Sequence, residues 1–161
     1  MFSVLSVLAL LLMAVNMGLA LGHALEFPGK LRLGEPTYRA VQAIYYPGFT
    51  IGGLVGEVGG MLLLIVLLVM TPAGTARFSW EGAALALLVA GHAVYWVVTH
   101  PVNAFWLKDT RLATPGRLFF GLLSVPGGDW RRMRSIWEWS HVVRAVFFAL
   151  GFLSMALALM R

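Results

Sequence analysis

The stretch YPGFTIGGLVGEVGGMLLLIVLLVM, residues 46–70, carries one charged side chain, Glu57, in an otherwise uncharged run. A helix rises about 1.5 Å per residue, so ~20 such residues cover a hydrocarbon core of ~30 Å. Backbone amides in lipid must be paired within the segment, which makes a helix the conformation for a lone apolar run. Three more runs of this kind flank it, at residues 2–25, 81–100 and 136–160. The expected fold is all-α, a single domain over 1–161 forming an integral membrane four-helix bundle. The first run lacks a basic leader and is too long for a secretion signal, so it reads as a retained span. Pro101 is expected to end the third span.

Composition points the same way. Hydrophobic residues make up 60% of the chain and charged residues 12%, against about 25% charged in a typical soluble domain. The absence of cysteine rules out disulfides and thiolate metal sites. The net charge of +5 matters by location. Lys30, Arg32, Arg39, Lys108, Arg111, Arg117, Arg131, Arg132 and Arg134 lie in the loops after spans one and three, against Arg77 and Arg161 on the opposite side. This asymmetry predicts that the two long loops are cytoplasmic and both termini non-cytoplasmic, in a bacterial-type inner or plasma membrane. No nucleic-acid motif accompanies the basic residues. The loops are expected to hold a short helix over 37–44 after Pro36, and a second amphipathic one within 101–135, where Pro115 and Pro126 interrupt the chain.

Gly48, Gly52, Gly56 and Gly60 recur every fourth residue, which puts them on one helix face. A face without side chains admits a second backbone, either within the bundle or as a homo-oligomer seam. Tyr45, Tyr46, Trp80, Trp106, Trp130 and Trp137 fall near span ends, as an interfacial belt does. Trp96 lies mid-span and is a candidate wall for an aromatic ligand.

Ionisable groups within a span are costly, and they turn toward the bundle interior. This chain has His23, Glu26, Glu57, His92, His100, Glu138, His141 and Arg144 in or at the ends of its spans. Counted from the basic side, His141 is about 8 Å deep, Arg144 and His92 about 12 Å, and Glu57 about 16 Å. The set therefore forms a column that stops near midplane, which is a pocket and not a channel. Trp137, His141, Arg144 and Phe148 share one stripe of span four. Arg144 keeps its proton and needs an anion, with Glu57 and Glu138 both able to supply it. Glu138-x-x-His141 is a spacing with which helix bundles hold metals. Together with His23, Glu26, His92 and His100 it forms a candidate ligand set for a transition metal or a haem. A cofactor-free site is equally open.

The pattern His100-Pro-Val-Asn103, then Asp129-Trp130, Arg134-x-x-Trp137-Glu138-x-x-His141-x-x-Arg144, resembles the small four-span membrane proteins that include the fungal anthrone oxygenases. The resemblance implies a membrane-embedded oxygenase or oxidoreductase for an aromatic or quinol-type substrate, a hydrophobic small molecule entering from the bilayer. It also implies a polar core of Asn103, Trp137, Glu138, His141 and Arg144. On chemical grounds a histidine or carboxylate would act as base, with Arg144, Asn103 or His100 stabilising the oxyanion. Trp96, Trp137 and Glu57 would contact the substrate. The competing expectations are a metal- or haem-binding redox bundle and a non-enzymatic accessory or transport subunit.

Overall fold

A computed structural model describes residues 2–107, 110–124 and 127–161; Lys108 and Pro126 fall outside them. Every element among the described residues is helical, and four helices are long and apolar enough to cross a membrane. Helix α1 spans Phe2–Lys30, α2 Glu35–Ile44, α3 Gly48–Met70 and α4 Ala76–Val94. A π turn at Tyr95–Thr99 joins α4 to α5, His100–Leu107, followed by α6, Thr114–Gly121, and α7, Trp130–Leu159.

The α1 sequence buries Ser6, Ala9, Met13, Asn16, Ala20, His23 and Lys30. Up to His23 their spacing alternates between three and four, the repeat that keeps one seam facing its neighbours along a whole helix. Helix α1 packs against α3 and α7, and α4 packs against the same two, giving an up-down-up-down ring. Met13, Leu64, Leu67, Leu88, Phe148 and Met155 fill its centre. Val4, Leu11, Leu54, Val69, Val97 and Leu153 point outward and are exposed. The short helices close one end: Arg39 of α2 donates to the Phe105 carbonyl of α5 at 3.0 Å, and α6 packs on α5 through Phe119, Phe120 and His100. The expected loop helices are thus present, the first beginning two residues earlier, with Pro36 in its first turn.

Four expected span ends move by five residues or more: the third span starts at Ala76 in place of residue 81, where Thr75 caps it by accepting the Phe78 amide. Helix α1 continues beyond Leu25 through Pro28 to Lys30. Pro28 lies in its last turn, where it removes one bond at the fraying end, and Lys30 holds Glu26 one turn back at 3.0 Å. Pro101 does not end the third span. The π turn stands immediately before it, and the His100 amide reaches five residues back to the Tyr95 carbonyl. Widening the helix there relieves the crowding that a proline ring causes in a regular turn. Helix α7 starts at Trp130, six residues before the apolar run, because the Asp129 carboxylate caps it by accepting the Arg132 amide at 3.0 Å.

The glycine ladder is used inside the chain. Gly56 adjoins the Asn16 side chain, Gly52 adjoins Leu19, and Gly60 lies against Leu88 and Leu12. Gly48 alone faces open space. A seam for a second copy along all four glycines would have to displace α1.

Candidate functional site

A cavity of about 130 Å³ lies between α1, α3, α4 and α7, toward the end closed by α2 and α6. One wall is polar and built by the four long helices: His23 from α1, Glu57 from α3, His92 from α4, and His141 and Arg144 from α7. The rest of the lining is largely aromatic and touches the polar groups, with Tyr45, Tyr46, Phe49, Tyr95, Trp96, Trp106 and Phe119. Tyr45, Tyr46, Trp106 and Trp137, expected at an interfacial belt, line this cavity instead.

The polar wall is wired in a fixed order. Arg144 Nη2 donates to Glu57 Oε1 at 2.5 Å. This resolves the open choice of anion in favour of Glu57. The other Glu57 oxygen, Oε2, lies 2.7 Å from His92 Nδ1. Trp96 Nε1 is 2.9 Å from His92 Nε2. An indole nitrogen can only donate, so His92 Nε2 accepts and Nδ1–H donates to Glu57. Both His92 nitrogens are therefore engaged, and the chain Arg144–Glu57–His92–Trp96 ties α7 to α3 and α4.

His141 is arranged differently. Its Nδ1 is 2.9 Å from the Trp137 carbonyl, which can only accept, so Nδ1 carries the proton. The Nε2 lone pair has no hydrogen-bond partner among the described residues, on a residue that lines the cavity. His23 touches it edge-on, ring centroids 4.3 Å apart. The His23 Nδ1 is buried with no partner among the described residues. Asn103 Oδ1 accepts the Trp137 indole N–H at 2.9 Å, which leaves the amide NH₂ group as a donor. Tyr95 lies under the Arg144 guanidinium, 5.1 Å from centroid to Cζ.

Of the expected catalytic residues, His141, Arg144 and Asn103 line the cavity, as do all three expected substrate contacts, Trp96, Trp137 and Glu57. Glu138 and His100 do not. Glu138 is 0% exposed and turns to the other side of α7, because one residue along a helix rotates the side chain by about 100°. There Glu138 Oε1 accepts from Tyr38 at 2.7 Å and lies 3.6 Å from Lys30 Nζ. His100 stands behind Trp96 and Phe119, 3.1 Å from the Tyr95 hydroxyl. Glu26 also stands outside, accepting from Tyr45 and ion-paired with Lys30 at 3.0 Å.

The six expected metal ligands do not converge. Among the described residues no three histidine or carboxylate side chains form a metal-holding group. A porphyrin held by two imidazoles needs them on opposite faces, whereas His23 and His141 are in ring contact and do not stand as such a pair.

Sequence reasoning passed over Lys30, Tyr38 and Asn16. Lys30 counts as a loop cation in the sequence, yet it is 4% exposed and lies 4.7 Å from the Tyr45 ring centre and 4.9 Å from that of Trp137. Its helical spacing from Glu26 was the available signal. Burial, together with Glu138, raises the Tyr38 phenol above its ordinary range. Burial and Glu26 do the same for Tyr45.

No protein-family model, curated protein or solved structure matches the chain.

Proposed function

We propose that the four long helices cross a bilayer, and that the cavity between them is the active site of an oxygenase-like oxidoreductase for a hydrophobic aromatic or quinol-type substrate. The bilayer setting is supported by the exposed apolar girdle, which in water would be a large unfavourable surface. The basic residues cluster at the α2–α6 end, so that end faces the cytoplasm and both chain ends face away from it.

One observation carries the catalytic reading: His141 offers an unprotonated Nε2 to an aromatic-walled cavity, with its tautomer fixed by a backbone carbonyl. Such a nitrogen can accept the proton from an acidic C–H flanked by aromatic rings, as in an anthrone. Negative charge then moves to the substrate oxygen, where Arg144 and the Asn103 amide can donate to it. The carbanion gives its electrons to dioxygen, forming a C–O bond and a hydroperoxide once protonated. Loss of water from the hydroperoxide leaves a carbonyl. The balance is one CH₂ and one O₂ converted to one C=O and one water, with dioxygen as the oxidant. The resemblance of the Asn103, Trp137, His141 and Arg144 spacing to the anthrone oxygenase group supports this choice of chemistry.

The detergent-purified protein should consume oxygen and form quinone when given anthrone. The His141→Ala variant should turn over roughly 10²–10⁴ times more slowly while keeping its helix content. Equal rates in both proteins would remove His141 from the reaction. A second reading, an accessory subunit whose polar core only holds the helices together, draws on the Arg144–Glu57–His92–Trp96 chain. It predicts no oxygen uptake in either protein.

A further inference from the structure

We propose that Glu57 sets the selectivity of the cavity by cancelling the charge of Arg144, so that the site takes uncharged planar aromatics bearing a hydroxyl or carbonyl oxygen and rejects aromatic carboxylates. The aromatic class rests on the function proposed above; the charge rule rests on the geometry.

An anion entering a buried site loses its hydration, and only an unmatched cation compensates for that loss. The polar wall has none. Arg144 is held by Glu57 at 2.5 Å. His92 has its two nitrogens engaged by Glu57 and Trp96. The nearest other cation, Lys30, lies between Glu26 at 3.0 Å and Glu138 at 3.6 Å, behind the rings of Tyr45 and Trp137. A carboxylate in the cavity would also meet the Glu57 carboxylate beside Arg144.

Neutral oxygen is treated differently. Among the described residues Arg144 is paired with Glu57 through Nη2 alone, so the guanidinium keeps hydrogen-bonding capacity after that pairing. His141 Nε2 accepts. A hydroxyl or carbonyl on a flat ring can therefore be bound as a hydrogen-bonding group without bringing a net charge. The ion pair supplies direction, and its neutrality supplies the filter.

The test compares 2-naphthol with 2-naphthoate, two probes of similar size, by titration calorimetry and thermal unfolding in detergent at neutral pH. The wild type should bind 2-naphthol at least about tenfold more tightly, a difference of about 1.4 kcal/mol. Glu57→Gln exposes the Arg144 charge and should reverse the order, with naphthoate raising its unfolding temperature. The double variant Glu57→Gln with Arg144→Gln removes both charges and should prefer naphthol again. Equal or tighter naphthoate binding by the wild type would overturn the proposal, as would a Glu57→Gln protein that keeps the wild-type order. If Glu57→Gln does not fold, Arg144→Gln, which leaves the Glu57 charge unmatched, should widen the preference for naphthol over naphthoate, and an unchanged ratio would overturn the proposal. Absence of binding by either probe would overturn both this proposal and the aromatic reading. Naphthol preference without anthrone oxidation would leave the charge rule standing and remove the oxygenase.

Discussion

Among the described residues, a half-buried Arg–Glu pair lies where α4 begins and a buried one lies deeper, in the cavity, and they differ in what is left over. At the end where α4 begins, Arg77 Nε meets Glu81 Oε1 at 2.9 Å, and Thr71 donates to Glu81 Oε2 at 2.7 Å. Arg77 also donates to Ser6 at 2.7 Å and stacks over Phe2. Both Glu81 oxygens are engaged, and none of these side chains lines the cavity. In the cavity Arg144 and Glu57 face open space, beside a histidine with a free acceptor and side-chain nitrogens without partners. A buried ion pair is by itself weak evidence of function. Unsatisfied polar atoms next to a cavity distinguish the second pair from the first.

Exchanging each pair for apolar residues should separate the two roles most widely. Glu57→Leu alone strands Arg144 and should cost about 3–5 kcal/mol, read as a fall in unfolding temperature. Adding Arg144→Met should recover most of that stability and leave no oxidation activity. The matching exchange of Arg77→Met with Glu81→Leu should recover stability and keep the activity. Recovery of activity in both double variants would erase the distinction.

A smaller effect marks the boundary between the regions. Gly91 faces the Phe148 ring so closely that a Cβ has no room, and Gly91→Ala should cost about 1–3 kcal/mol. An unchanged unfolding temperature would mean that Phe148 moves freely. Thr71→Val deprives Glu81 of one partner and should cost about 1–3 kcal/mol, with no change in ligand preference. The smallest effect is alkaline. Tyr38 and Tyr45 have phenols raised above the unfolded value by burial and neighbouring carboxylates. Raised pKa values favour the folded state below the unfolded value near 10, and this contribution is lost as pH rises toward the folded value. Unfolding temperature should therefore decline above about pH 10, and less so in the Tyr38→Phe variant.

The four apolar runs and both short helices are legible in the sequence because hydropathy and proline placement act locally. Helix ends are less so. Pro101 reads as a terminator, yet a π turn accommodates it, and α1 runs past its expected end because a fraying last turn tolerates Pro28. The site is legible as a stripe, since Trp137, His141 and Arg144 share a face through helical spacing alone. The partner of Arg144 is not, because the rotation of α3 and α7 about their axes is set by packing. The same rotation turns Glu138 away to Tyr38 and Lys30. For Lys30 the one mark in sequence is its four-residue spacing from Glu26, a spacing that surface pairs share.

The most direct test isolates the proton-transfer step. Anthrone is incubated without oxygen in deuterated water, and exchange at its acidic carbon is followed by magnetic resonance. The wild type should accelerate exchange, and His141→Ala should fall to the rate without protein. Exchange at equal rates in the two proteins, or no acceleration by the wild type, would contradict His141 as the base in this cavity.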